Sequence, residues 1–524
     1  MKRRQALQVL PWPALALAGC DGARPEATGG FVGQSVERGH MLRQPQAWPG
    51  PAVVRRTGVV IAGGGIAGLA AARALRQRGV DDFMLFELED EAGGNSRGGS
   101  VGGIACPLGA HYLPVPGDDV PEVQHLLEEL GLRRRVAGRW EYDELHLCHS
   151  PQERLFFRGA WQDGLLPTDG VGAATLAEYR RFATQLEALR RSEKFAIPVA
   201  RSAFGPAQLQ LDALSFAAWL DREGYGDAQL RWYLGYCCRD DYGAGLAQVS
   251  AWAGIHYFAS RHGFHAPGDA EAEREPVLTW PEGNAFLARA LAAPLGQRLR
   301  AGRTVLRIAD QRGGVEVDVY DHAQRQVERW TAAACIVALP LHVAVHVVES
   351  PPELLRQAAA ATQHAPWLVA NVRIDAPLAD RPGPAPAWDN VLYGTAGLGY
   401  VDARHQSLDP RPGPTVLSWY RPLGGIEGAR QQLLDRPWTA WRDELLAELA
   451  VPHPDLPAAV RRIEIARYGH AMAMPVPGTL QRVSRWGPAP AAGRLAFAHS
   501  DWSGYSVFEE AFVRGRQAAA AVRI

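Results

Sequence analysis

Residues 58–68 read Gly58-Val59-Val60-Ile61-Ala62-Gly63-Gly64-Gly65-Ile66-Ala67-Gly68, and this stretch decides the fold. The β-branched run at 59–61 suits a strand buried on both faces of a parallel sheet. It runs straight into G-x-G-x-x-G at Gly63, Gly65 and Gly68. Leu69 to Arg78 is rich in Ala, Leu and Arg and reads as a helix stopped by Gly79. A second strand, Phe83-Met84-Leu85-Phe86, ends in Glu87, at the ~20-residue offset that a dinucleotide fingerprint requires. Gly63 permits the tight turn, Gly65 lets the backbone approach a pyrophosphate, and Gly68 lets helix pack on strand. Ile66 and Ala67 open the helix, whose N-terminal N–H groups and dipole face the phosphates. Glu87 is placed to accept hydrogen bonds from an adenosine ribose. An acid there favours FAD or NAD over NADP.

The rest of the chain fits an ordinary two-domain protein. It has 524 residues, 47% hydrophobic and 21% charged, which excludes a disordered chain. A net charge of −1 argues against a nucleic-acid partner. Of 55 basic residues only Lys2 and Lys194 are lysines. The six cysteines (Cys20, Cys106, Cys148, Cys237, Cys238 and Cys335) have no paired C-x-x-C spacing, so neither a metal centre nor a full disulfide framework is expected.

The N-terminal fifty residues read as targeting. Lys2, Arg3 and Arg4 precede an apolar stretch from Ala6 to Gly19 that is too short to span a bilayer. The Arg3-Arg4 pair with Leu7 resembles a twin-arginine signal, and Leu17-Ala18-Gly19-Cys20 resembles a lipobox. The expectation is export in the folded state, lipidation of Cys20 and anchoring on the periplasmic side of a bacterial inner membrane. Residues 21–55 then read as a flexible linker.

Further along, Gly93-Gly94-Asn95-Ser96-Arg97 is similar to the second glycine motif of the flavin-containing amine oxidase and phytoene desaturase superfamily. Leu108-Gly109-Ala110-His111-Tyr112 resembles the loop passing the flavin ring, close to its form in polyamine oxidases. Trp280-Pro281-Glu282-Gly283-Asn284 and Cys335-to-Pro340 resemble later family segments, and Val305 lies where the backbone meets the adenine. Arg494-to-Asp501 looks like the closing strand, Trp502-Ser503-Gly504-Tyr505 matches the W-S-G-Y of monoamine oxidases, and Phe508-Glu509-Glu510-Ala511 resembles the helix aimed at the flavin pyrimidine.

The resemblance implies an α/β protein: a Rossmann-like FAD-binding domain of the GR2 type, interleaved with an α+β substrate domain. The FAD domain would take 56–112, 276–350 and 461–524. The substrate domain would take a helical part at 113–275 and a sheet part at 351–460. FAD is the implied cofactor, with Gly94, Arg97, Gly109, Ala110, Ser500, Asp501 and Phe508 beside the fingerprint residues. The implied activity is oxidation of a primary, secondary or polyamine, with oxygen or a membrane quinone as acceptor. A desaturase or isomerase, or a non-catalytic FAD protein, are the alternatives.

The family's lysine that holds a water at the flavin falls on His346, within Ala338-to-Val347, read as an apolar strand. An imidazole there could hold that water or simply bond a neighbour. Tyr505 matches one aromatic wall; Ala471 occupies the other wall's position, with Tyr468 or Trp502 as substitutes, and His111 faces the flavin loop. His470 falls near a site of covalent flavin attachment in some relatives. Asp240-Asp241 and Glu271, Glu273 and Glu275 could bind a polyamine or be solvated surface. Trp232, Tyr233, Tyr236, Trp252 and Tyr257 could line a substrate site or be core.

Overall fold

A computed structural model describes residues 27–43, 48–268, 276–405, 407, 409 and 411–523. The expected targeting segment through Cys20, and Glu271, Glu273 and Glu275, lie outside the described residues. Val59–Ala62 is fully buried and forms the middle of a six-stranded sheet. Its parallel neighbours are Phe83–Phe86 and Ala334–Val337, flanked by Leu299–Arg300 and Leu495–Phe497; Ala491–Ala492 closes the edge antiparallel. The chain leaves the first strand toward one edge and later returns on its other side. The carboxyl ends there form the switch point at which open α/β sheets bind ligands.

The fingerprint helix Ile66–Gln77 starts from extended Gly65, and Gly79 beyond its end takes φ +76°. Gly63 takes φ +102°, and a Cβ on Gly68 would lie 1.9 Å from the Gly63 carbonyl oxygen, so this turn admits no side chain at 68. The last helix, Phe508–Ala521, packs on the fingerprint helix so closely that a Cβ on Gly515 would meet the Ala67 carbonyl oxygen at 2.0 Å.

The second large sheet has eight strands, in the order Thr28–Val32, Val460–Met474, Gln363–Ile374, Thr415–Pro422, Tyr400–Asp402, Asp389–Leu392, Glu153–Phe157, Ala160–Asp163. Helices between Ala173 and Tyr257 accompany it, as the apolar spacing predicts: Tyr179, Phe182 and Leu186 form the buried stripe of Ala173–Ser192. Pro121–Glu129 likewise buries Val123, Leu126 and Leu127.

Three boundaries differ from expectation. Thr28–Val32, inside the expected linker, pairs in parallel with Val460–Met474 from Thr28↔Arg462 to Val32↔Ala466. Val53–Arg56, at the linker's end, pairs with Gln326–Ala332 in a four-stranded sheet. The expected return to the FAD domain at 461 cuts through Val460–Met474, which belongs wholly to the eight-stranded sheet. Among the described residues no helix is long and apolar enough to cross a membrane, and Cys106, Cys148, Cys237, Cys238 and Cys335 are all free thiols.

Candidate active site

The groove at the switch point is built from glycine backbones and two buried charges. The Gly93 N–H donates to the Gly64 carbonyl at 2.8 Å, and Gly65 bridges Gly93, so the two glycine motifs lie side by side. Glu87 is buried; its Oε2 accepts from the Gly64 N–H at 2.8 Å and its Oε1 from the Glu89 N–H at 2.9 Å. Burial pushes the Glu87 carboxyl up, and those two N–H groups pull it back. Each oxygen keeps a lone pair for a sugar hydroxyl. Strand Arg303–Gln311, which carries buried Val305, is tied to this acid by the Arg303 N–H, 2.7 Å from the Glu87 carbonyl.

Arg97 supplies the test of whether a dinucleotide fits. Its guanidinium is 8% exposed, and its Nε and Nη2 are buried with no hydrogen-bond partner. Only Nη1 approaches an acid, Glu89 Oε2 at 3.5 Å. Buried guanidinium N–H groups without acceptors cost free energy that a diphosphate would recover. The groove therefore fits FAD: Gly63, Gly65, Ile66, Ala67, Gly68 and Gly94 present backbone, Glu87 an acceptor and Arg97 a cation.

Beyond the groove, two tyrosines pin the 108–112 loop. Tyr468 donates to the Leu108 carbonyl at 2.6 Å and Tyr420 to that of Gly109 at 3.0 Å; the Ala110 N–H bonds Asn95. His111 sits in an aromatic box, its ring 4.4 Å from Tyr420, 4.9 Å from Tyr112 and 5.4 Å from Trp388. Burial lowers its pKa to about 3, so it is neutral at working pH. Tyr505 is buried, hydrogen-bonds Asp241 through its hydroxyl and stands edge-on to His256. It offers a ring, not a free hydroxyl.

Acids gather on the far side of this box. Asp240 ends helix Ala228–Tyr242 beside Tyr112, whose hydroxyl lies 3.5 Å from Asp240 Oδ2. Glu153 and Asp389 are register partners in adjacent parallel strands, an unfavourable pairing of like charges. Burial, then Asp241, pushes Asp240 up to about 7 against the Tyr112 hydrogen bond and Arg239. Burial, Asp240 and Glu153 hold Asp389 well above the usual carboxylate range. Burial raises Asp241 to about 6, partly offset by Arg261 and Tyr505. The solvated-surface reading of Asp240-Asp241 fails. Asp389 and Glu153 were not anticipated: they share no motif and meet only through strand pairing.

Other expected site residues are placed differently. His346 lies on a helix, Leu341–Val347, not on a strand; it is exposed and has no hydrogen-bond or ring partner among the described residues. Trp502 is 1% exposed and packs against Trp486 and Phe497, which makes it core. Tyr236 and Trp252 are also core, while Trp232, Tyr233 and Tyr257 are only half-buried against it. Phe508 stacks on Phe512, so only its backbone can face a cofactor. Ser500 and Asp501 form a short 3-10 turn, and the Asp501 carboxylate is taken by the Leu341 N–H, His364 and His499. His342, His364 and Asp501 form one group whose potential ligand atoms lie within 4.8 Å of one another. The one described lysine, Lys194, pairs with Asp119 on the surface, so among the described residues no lysine enters the site.

Comparison with known proteins agrees with this geometry. A model of the family described as flavin containing amine oxidoreductase matches residues 66–523. A Mycobacterium tuberculosis (strain H37Rv) protein named as a flavin-containing monoamine oxidase, AofH, is 28% identical over 298 residues, 56% of this chain. The chain thus spans 59% of that curated relative's length. A putrescine oxidase structure with putrescine bound superposes with a TM-score of 0.67 at 18% identity, over 89% of this chain and 99% of its own. A CLA-producing fatty acid isomerase from P. acnes does so with a TM-score of 0.61 at 16% identity, over 88% of this chain and 97% of its own. At such identities the structures speak for the fold alone. FAD is the cofactor. With the match extending from the fingerprint helix almost to the last residue, the chain belongs to the flavin containing amine oxidoreductase family.

Proposed function

We propose that the protein is an FAD-dependent oxidoreductase that oxidises a C–N bond of a primary or secondary amine carrying a second ammonium group, a diamine or polyamine. The observation that carries this reading is the half-buried pair of Asp240 and Asp389, with Asp240 3.5 Å from the hydroxyl of Tyr112 in the His111–Tyr112 loop. Carboxylates raised by burial and mutual repulsion are an electrostatic mismatch, and a substrate cation relieves it. FAD, when bound, supplies the acceptor for the hydride equivalent. The chain's own residues position and desolvate the amine. His111, Tyr112, Tyr420 and Trp388 form walls that exclude water, and Tyr505 is held rigid by Asp241. Neutral His111 can accept a hydrogen bond from the amine. With Asp240 and Asp389 anchoring the distal cation, the reacting nitrogen sits at a fixed distance from the loop.

Ala471 in place of a second ring, and the absence of a lysine, favour carbon–carbon desaturation or isomerisation as the competing reading. Its apolar substrates would bring no cation to Asp240 and Asp389. An anaerobic screen of monoamines, diamines and unsaturated fatty acids, followed by loss of the oxidised flavin band, decides between them. Bleaching by diamines supports the proposal; bleaching by none of the amines ends it.

The N-terminal motif supports a second part of the reading: twin-arginine export, a lipid on Cys20 and a membrane quinone in place of oxygen as acceptor. Radiolabelled fatty acid incorporated into wild type but not into Cys20→Ala would support the anchor. Rapid reoxidation of the reduced protein by air, with stoichiometric peroxide, would count against the quinone.

A further inference from the structure

Beside the carboxyl ends of the central strands, four histidines and an aspartate crowd together. His342 lies in the first turn after Pro340, His364 near the start of strand Gln363–Ile374, His470 in strand Val460–Met474, and Asp501 in the turn after Leu495–Phe497, with His499 beside it. The potential ligand atoms of His342, His364 and Asp501 all lie within 4.8 Å of one another.

We propose that His342, His364 and Asp501 bind one divalent transition cation of the zinc type, with an open fourth position. Three observations carry this. His342 Nδ1 is buried and has no hydrogen-bond partner, an unmet cost that a cation would remove. The His342 and His364 rings stand 4.9 Å apart at 72°, close enough for a nitrogen of each to reach one ion. His364 Nε2 is already 3.0 Å from Asp501 Oδ2, close to the ~3.3 Å edge of a tetrahedron with metal–ligand bonds of about 2.0–2.1 Å. Closing the site requires a movement of at most about 1.5 Å at His342.

The surroundings are prepared for ligation. Burial, with His470 and His364 adding to it, lowers the His342 pKa to about 2, so its ring is neutral. Burial alone would raise Asp501, but His499 and His364 hold it well below the ordinary carboxylate value, so it is ionised. The Leu341 N–H, 3.0 Å from Oδ2, orients the carboxylate, and His499 Nδ1 accepts from the Asp501 backbone N–H at 3.1 Å. His470 stacks on the His342 ring at 4.0 Å and 19°, covering its face without pointing at the same centre. Two imidazoles and one carboxylate suit zinc, iron(II) or cobalt(II), not magnesium or calcium. His364 comes from the substrate sheet, and His342 and Asp501 from the cofactor domain, so the cation would clamp the two domains together.

The test uses the FAD-loaded protein, stripped with chelator and titrated with Zn2+ in a calorimeter, with bound metal counted by mass spectrometry. Wild type and His125→Ala, which alters an exposed histidine elsewhere, should bind one Zn2+ per chain and melt at higher temperature with it. His342→Gln and Asp501→Asn should bind at least about 100-fold more weakly and show no such rise. Retained flavin absorbance and circular dichroism establish that each variant is folded; His342→Gln, at a half-buried site, serves if Asp501→Asn does not fold. The proposal is overturned if wild type takes up no stoichiometric Zn2+, if folded His342→Gln binds like His125→Ala, or if Zn2+ binds only after FAD is removed.

Discussion

Asp389→Asn isolates the acid cluster from everything else in the site. The side chain keeps its shape and loses its charge, and Asp389 stands opposite Glu153 and beside Asp240. A charge-assisted hydrogen bond to an ammonium contributes about 1.5–3 kcal/mol. At 1.4 kcal/mol per tenfold, kcat/KM for a diamine should fall by about 10- to 150-fold. A monoamine of the same length has no distal cation and should lose less than about 2-fold. The assay is anaerobic stopped-flow flavin reduction with a matched diamine and monoamine across pH. Equal losses for both substrates, or no loss for the diamine, would show that these acids do not bind the substrate.

Four further outcomes are expected. In wild type, kcat/KM for a diamine should rise with pH through about 7 as Asp240 ionises, and Asp240→Asn should lack that limb while keeping the substrate's own higher one. Because folded Asp240 keeps a proton that the unfolded chain has already released, stability should fall as pH climbs from about 4 to about 7. Melting curves at both ends of that range should show the fall in wild type and a smaller one in Asp240→Asn. Arg97→Met removes the cation whose Nε and Nη2 have no protein partner, and FAD affinity should drop about 10- to 100-fold in ultrafiltration, whereas full retention would separate Arg97 from the diphosphate. His346→Ala, at an exposed ring without partners, should change the rate of flavin reduction by less than about 2-fold, and a larger loss would return that histidine to the mechanism.

What could be read from the sequence was local. Residues 58–87 carry strand, turn, helix, strand and acid in one continuous segment, and each part depends only on near neighbours. Val53–Arg56 and Thr28–Val32 are strands for a different reason: Thr28 owes its place to Arg462, far along the chain, and its own Gly-rich surroundings read as a linker. The run Leu341-His342-Val343-Ala344-Val345-His346-Val347 is apolar enough for either strand or helix, and Pro340 at the cap position turned it into a helix. The helix leaves His346 exposed and His342 half-buried. Asp389 and Glu153 could not be paired in advance because only the register of two parallel strands brings them together.

The most direct measurement is a crystal structure of the FAD-loaded protein soaked with a diamine under anaerobic conditions. The account predicts one nitrogen beside His111 and Tyr505 and the other within about 3.2 Å of a carboxylate oxygen of Asp240 or Asp389. A diamine bound elsewhere, or seated with its distal nitrogen away from both carboxylates, would contradict it.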